Sequence, residues 1–175
     1  MSFDPGPLAA VHAESAGDRW TLVFVKDLRH PPEKVWAALT DPERVGRWAP
    51  FECDRDLSTT GPATLTMIDG ETAVPLETTV VRAEPPSLLE YRFGPDILVW
   101  ELAANGDGTR LTLRHTVADR EWLPKVAAGW HLCLLVAGRL LDGDPIPVIR
   151  GNAAYGYGFD DLQDGYSREL GVPVR

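Results

Sequence analysis

The side chains able to do chemistry are few and scattered. Among 175 residues stand four histidines (His12, His30, His115 and His131) and two cysteines (Cys53 and Cys133). The histidines lack the spacing of metal ligands, and no Asp/Glu pair lies beside one of them, so neither a metal nor a cofactor is expected. No GxSxG elbow, phosphate-binding loop, HExxH pair or nicotinamide-type glycine fingerprint occurs. Gly156-Tyr157-Gly158-Phe159 begins like a dinucleotide loop, but Asp161 takes the place of the third glycine and no strand pattern precedes it. No residue is therefore assigned a catalytic role. His115 stands apart, because strand alternation aims it at the apolar face of its sheet. Two readings are open for it: a satisfied, half-buried histidine bonded to backbone near the end of a strand, or the polar anchor of a mostly apolar pocket.

The elements that position these residues follow from periodicity. Trp20 to Leu28 alternates as a half-buried strand, with Lys26 the exception. Pro31-Pro32-Glu33 and Asp41-Pro42-Glu43 are helix starts, with proline in the first turn and an acid at the positive end of the dipole. Two short helices should follow, the second running to about Arg47. From Pro50 to Thr116 turn signals at Gly61-Pro62, Asp69-Gly70, Pro85-Pro86 and Asn105–Gly108 mark off strands. The clearest hairpin sets Leu98, Trp100 and Leu102 against Leu111, Leu113 and His115. Leu65, Met67, Leu89, Tyr91 and Phe93 share that apolar face. An antiparallel sheet of this kind needs a cover.

A long helix from near Glu121 to the stop at Leu141-Asp142-Gly143 supplies it. Trp122, Val126, Gly129, Trp130, Cys133, Ala137 and Leu140 form its apolar stripe, and Lys125, His131, Arg139 and Asp142 fall on the other side. Leu132 and Leu135 sit among those polar residues. A tail with Tyr155, Phe159, Leu162, Tyr166 and Leu170 at helical spacing is the expected partner for them. The tail is expected to dock there, in the same chain or exchanged within a homodimer, without touching a ligand in the cavity. The division expected is a flexible leader over 1–18, a single domain over 19–143, and a connection with tail helix over 144–175.

Composition narrows the function classes. A formal charge of −9 and a pI near 4.8 disfavour nucleic acid and anionic membranes. Neither the N-terminal residues nor the apolar run Val126–Leu141 has the pattern of a signal peptide or a membrane span, and two unpaired cysteines fit a reducing compartment. A cytoplasmic protein is expected.

The run Pro32-Glu33-Lys34-Val35-Trp36-Ala37-Ala38-Leu39-Thr40-Asp41-Pro42-Glu43, with Arg47-Trp48 after it, resembles the opening of the activator of heat-shock-protein-90 ATPase homologue-like family. That family belongs to the START-like, or SRPBCC, superfamily. Glu84-Pro85-Pro86, Val99-Trp100-Glu101-Leu102, Gly108–Leu113 and Gly129-Trp130 fit in order, and the resemblance spans roughly residues 20–143. It implies an α+β helix-grip fold: an antiparallel sheet of about seven strands curved around a long C-terminal helix, with a cavity between. Two short helices follow the first strand, and the tail helix is extra.

The leading expectation is non-catalytic binding of a small hydrophobic or amphipathic molecule in that cavity. Its candidate lining is Trp48, Leu65, Met67, Tyr91 and Phe93, with Trp100, His115, Val126, Trp130 and Cys133. Plain core would show the same parity. Trp36 and Trp122 are expected to be core packing. The alternative is an enzyme of the cyclase, dehydratase or hydrolase type, which needs His115 to meet a second polar group such as Tyr91 or an acid from another strand. A chaperone-associated stress protein, suggested by the family name, is the third reading.

Overall fold

The alternation that sets Leu98 against His115 and Trp100 against Leu113 is the register found between β7 (Asp96–Asn105) and β8 (Gly108–Val117). The protein is described here by a computed structural model covering residues 3–174. Its remaining strands are β1 (Ala10–Ala16), β2 (Arg19–Leu28), β3 (Phe51–Cys53), β4 (Gly61–Asp69), β5 (Thr72–Glu84) and β6 (Leu88–Phe93). Together they make one antiparallel sheet in the order β1-β2-β8-β7-β6-β5-β4-β3. Leu22, Phe24, Leu65, Leu89, Leu98, Trp100 and Leu113 are buried on its inner face. The outer face carries cross-strand ion pairs, among them Arg114 with Glu101 and Arg110 with Asp27.

The sheet has eight strands where about seven were expected. The extra one is β1, formed by residues assigned to a loose leader; it pairs along its whole length with β2. Its Ala-Val-His-Ala-Glu-Ser-Ala sequence has too little apolar contrast to reveal a strand. Upstream of it, Leu8 lies over Gly165 of the tail helix.

Between β2 and β3 run α1 (Pro32–Thr40) and α2 (Pro42–Val45). Asp41 caps α2 by accepting from the Glu43 amide at 3.0 Å. The Trp48 indole donates to the Ala38 carbonyl at 2.7 Å and ties the exit of α2 back to α1. After β8, a 3-10 turn over Arg120–Trp122 leads into α3 (Leu123–Leu141), with Pro124 in its first turn.

Buried residues surround α3. Trp130, Cys133 and Ala137 are buried, and so are His131, Leu132 and Leu134. Two covers account for this, the sheet on one side and α4 (Phe159–Leu170) of the same chain on the other. The spacing of Tyr155, Phe159, Leu162, Tyr166 and Leu170 predicts one continuous helix. Instead a 3-10 segment, Gly151–Tyr157, precedes Gly158, whose φ of +85° is left-handed and breaks the helical phase. Phe159, Leu162, Tyr166 and Leu170 are consequently buried, whereas Tyr155 is exposed.

His131 joins α3 to α4 and to the segment before β1. Its Nε2–H donates to the Pro5 carbonyl and its Nδ1 accepts from the Tyr166 hydroxyl, each at 2.7 Å. The Tyr166 oxygen in turn accepts from the Ala9 amide at 2.9 Å. Burial holds the imidazole below its ordinary pKa; the Pro5 carbonyl opposes that, and the Lys26 charge adds to it. Lys26, the break in the β2 alternation, is itself lowered by burial.

A folded-state pKa below the unfolded value, about 6.5, favours the neutral ring. The stabilisation is therefore complete above about pH 6.5 and is lost as the pH falls through that value toward the folded pKa. Thermal midpoints should hold between pH 8 and 7 and fall between pH 6.5 and 5. His131→Gln, measured over the same series, should flatten that fall. Tyr166→Phe, which removes the donor to Nδ1 and the acceptor for the Ala9 amide, should cost about 1–3 kcal/mol in urea denaturation.

Candidate functional site

Sheet and helix do not meet everywhere. Around the N-terminal half of α3 they leave a cavity of about 310 Å³. Met67 of β4, Phe93 of β6 and His115 of β8 form the sheet wall. Val126, Gly129, Trp130 and Cys133 form the helix wall. Leu132, which falls among the polar residues of the helical wheel, also reaches it. The mouth lies at Trp122 and Lys125, which are exposed.

The other candidates stand elsewhere. Trp48, Leu65, Tyr91 and Trp100 are all within the solid core and do not border the cavity. Trp100 packs edge-on against Trp130 with ring centroids 5.4 Å apart, and Trp48 packs edge-on against Trp100 at 5.9 Å. The Trp100 indole donates to the Tyr91 hydroxyl at 3.1 Å, so these polar atoms satisfy each other. Burial pushes the Tyr91 phenol well above its ordinary pKa. Parity placed Leu65, Tyr91 and Trp100 on the inner face of the sheet, but not at the cavity wall, and Trp48, in the turn after α2, packs on Trp100. Trp122, expected in the core, is 39% exposed because the 3-10 turn carries it clear of the sheet.

The tail takes part in the site. Ile149, Arg150, Gly151, Ala154 and Phe159 all line the cavity, so the expectation that the tail stays away from a bound ligand is overturned. The segment between α3 and α4 runs along the cavity as a strap. Arg150 fastens it: Nε donates to the Ala49 carbonyl at 2.9 Å and Nη2 to the Gly46 carbonyl at 2.8 Å. The next residue, Gly151, has a φ of +54°, and a Cβ there would collide with the Asp69 carboxylate. That carboxylate accepts from the Asn152 amide at 3.2 Å. Nothing in sequence periodicity singles out Arg150 or Lys125. One lies in a connection, and the other falls on the polar side of the helical wheel, where its long side chain still reaches the mouth.

His115 is 3% exposed and both its ring nitrogens are engaged. The Trp130 indole N–H donates to Nδ1 at 2.8 Å. An indole can only donate, so Nδ1 is the acceptor and Nε2 carries the proton, which it gives to Asp96 Oδ2 at 2.8 Å. The partners are an indole and a carboxylate, where a backbone bond was expected. The dyad with an acid exists, but the second nitrogen has no lone pair left for a ligand. His115 therefore meets the cavity with ring carbon, as part of an apolar wall. Cys133 is equally quiet as a nucleophile: burial pushes its thiol up to about 12. Among the described residues no group of three His, Cys, Asp or Glu side chains is arranged to hold a metal ion.

Trp130→Phe keeps most of the ring volume but leaves His115 Nδ1 without its donor. Urea denaturation should show a loss of about 1–3 kcal/mol. Trp130→Ala should lose more, about 3–5 kcal/mol, since it also abandons the packing on Trp100 and Phe93.

The family model for "Activator of Hsp90 ATPase homolog 1-like protein" matches residues 29–136, a stretch from the turn before α1 to the middle of α3. No match is found among curated proteins. Solved structures share the fold. The crystal structure of CalU16 from Micromonospora echinospora is 21% identical, with 91% of this chain and 95% of that chain covered and a TM-score of 0.65. EF2215 from Enterococcus faecalis, described as a conserved protein of unknown function, is 13% identical over 91% of this chain and 89% of its own, with a TM-score of 0.69. BPP1335 from Bordetella parapertussis is 22% identical over 97% and 96%, with a TM-score of 0.65. Identities this low speak to the fold alone. With the family model covering more than half of its length, and its sheet wrapped around a long helix as in these structures, the chain belongs to the Activator of Hsp90 ATPase homolog 1-like family of START-like proteins.

Proposed function

We propose that the protein binds a small hydrophobic or amphipathic molecule, without turnover, in the cavity between sheet and α3. The observation that carries this reading is the wall itself. It is built from Met67, Phe93, Val126, Trp130, Ile149 and Phe159, and the histidine within it has both nitrogens already bonded. A pocket of a few hundred Å³ with an apolar lining and few polar groups is the usual form of a small-molecule site. Turnover needs a group able to give or take a proton at the ligand, and His115 is committed to Asp96 and Trp130. No helix of the described residues is long and apolar enough to cross a membrane.

Gly129 gives a test that leaves the fold intact. It lines the cavity, and a Cβ built on it meets nothing within 4 Å. Gly129→Leu should fill the space, and removing a mid-helix glycine adds about 1 kcal/mol of helix propensity. The wild type should show a raised thermal midpoint and a changed tryptophan fluorescence with at least one class in a panel of fatty acids, polyketides and aromatic compounds. Gly129→Leu should melt no lower than wild type and lose both responses. A wild type that responds to no class, or a filled variant that responds equally, would defeat the proposal.

Truncation after Gly143 separates the tail's contribution. It removes Ile149, Arg150 and Phe159 from the wall and uncovers the α4-facing side of α3. Reduced solubility and loss of the ligand response are expected together. A soluble truncated protein with unchanged ligand response would refute the tail's role in the site.

A further inference from the structure

The charges around the cavity are one-sided. The whole chain has 26 acidic against 17 basic residues. Yet among the described residues that line the cavity there is no Asp or Glu, while Lys125 and Arg150 both do so. Arg150 is the more unusual of the two. Its side chain is 10% exposed, and its hydrogen bonds run to the neutral carbonyls of Ala49, Gly46 and Phe51. The carboxylate it faces, Glu52, is 3.8 Å away and itself 58% exposed, so most of that negative charge is spent on solvent. Buried cations are ordinarily neutralised by a close carboxylate. Arg150 nevertheless lines the cavity together with the buried Cys133, so its charge stands at the cavity wall with only a distant, solvated carboxylate opposite it. Lys125 stands at the mouth with its ammonium 5.6 Å from the centre of the Trp122 ring, a flat apolar surface beside a cation.

We propose that the ligand is an amphipathic anion, with its apolar body against Trp130, Phe93 and Ile149 and its carboxylate at the mouth between Lys125 and Arg150. The inference rests on the binding reading above and adds the charge of the ligand. An anion there would add a charge partner to a guanidinium held mainly by neutral carbonyls and to the exposed Lys125 ammonium. Cations at the wall with no carboxylate among the described lining residues select against neutral analogues of the same shape.

Matched ligand pairs separate the two claims. Decanoate and decan-1-ol share one apolar body, as do naphthalene-2-carboxylate and naphthalene-2-methanol. Binding to the full chain, measured by calorimetry in 50 mM salt, should favour the anion of a pair by tenfold or more, and 500 mM salt should shrink the preference. Lys125→Met should weaken the anion about fivefold and leave the alcohol unchanged, and Lys125→Arg should restore the preference. Lys125 is exposed, so neither change threatens the fold. Equal or tighter binding of the alcohols, or a Lys125→Met effect identical for both members, would overturn the anion and leave the apolar site standing. Failure of all four compounds to bind would overturn both.

Discussion

A helix that is apolar around most of its circumference cannot rest on a sheet alone. That is the constraint on which this structure turns. In α3 the residues toward the sheet are buried, and so are His131, Leu132 and Leu134. With only the inner face of the sheet to cover it, α3 would leave a broad apolar strip in water. The chain answers with α4 and with the segment before β1, both of which pack outside α3. The cavity is what remains where the two covers fail to meet, and the strap that joins α3 to α4 runs along it.

Two histidines on or against α3 show how a buried polar group is kept in place. His131 spans α3, Tyr166 and Pro5, and His115 spans the sheet, Asp96 and Trp130. In each, one nitrogen accepts from an aromatic donor and the other donates to oxygen. An unpaired nitrogen in either place would cost about 1–3 kcal/mol, so each ring fixes the position of the helix relative to its cover. Lacking a free lone pair, neither behaves as a waiting acid or base. This is why a histidine pointed at a cavity does not by itself imply catalysis.

Much of the architecture was legible in the sequence because it rests on local chemistry. The Asp41-Pro42-Glu43 start, the Asn105–Gly108 hairpin and the alternation through Trp100 and His115 each specify their element alone. The order of β2, two helices, six strands and α3 follows from them. β1 was not legible, since its stability comes from pairing with β2 and its own residues are small or polar. Gly158 hid the break between the 3-10 segment and α4, because the apolar spacing runs through it unchanged while the backbone does not. At the site, parity brought Met67, Phe93, His115, Val126, Trp130 and Cys133 to the cavity. It could not tell them from Leu65, Tyr91 and Trp100, which share the sheet's inner face but are covered by other side chains, and Trp48, in the turn after α2, has no parity to read. Arg150 carries no periodic signal at all. Its place is fixed by carbonyls about a hundred residues earlier in the chain.

The division of the wall between two parts of the chain bears on selectivity. The segment matched by the family model ends at residue 136. It contributes the sheet wall, Trp130 and Lys125, and these make a generic apolar space with one cation at its rim. Ile149, Arg150 and Phe159 lie beyond it and close the other side. Arg150 is held by two carbonyls of the loop between α2 and β3 and by that of Phe51 in β3, so its charge cannot retreat into solvent as a free arginine would. An apolar wall discriminates weakly between ligands of similar shape, whereas a fixed, desolvated charge rejects every ligand that leaves it unpaired. Selectivity in the proposed site therefore resides in the extension more than in the shared domain. Changes at Arg150 can then alter the accepted head group while Ile149, buried in the core, keeps the strap anchored.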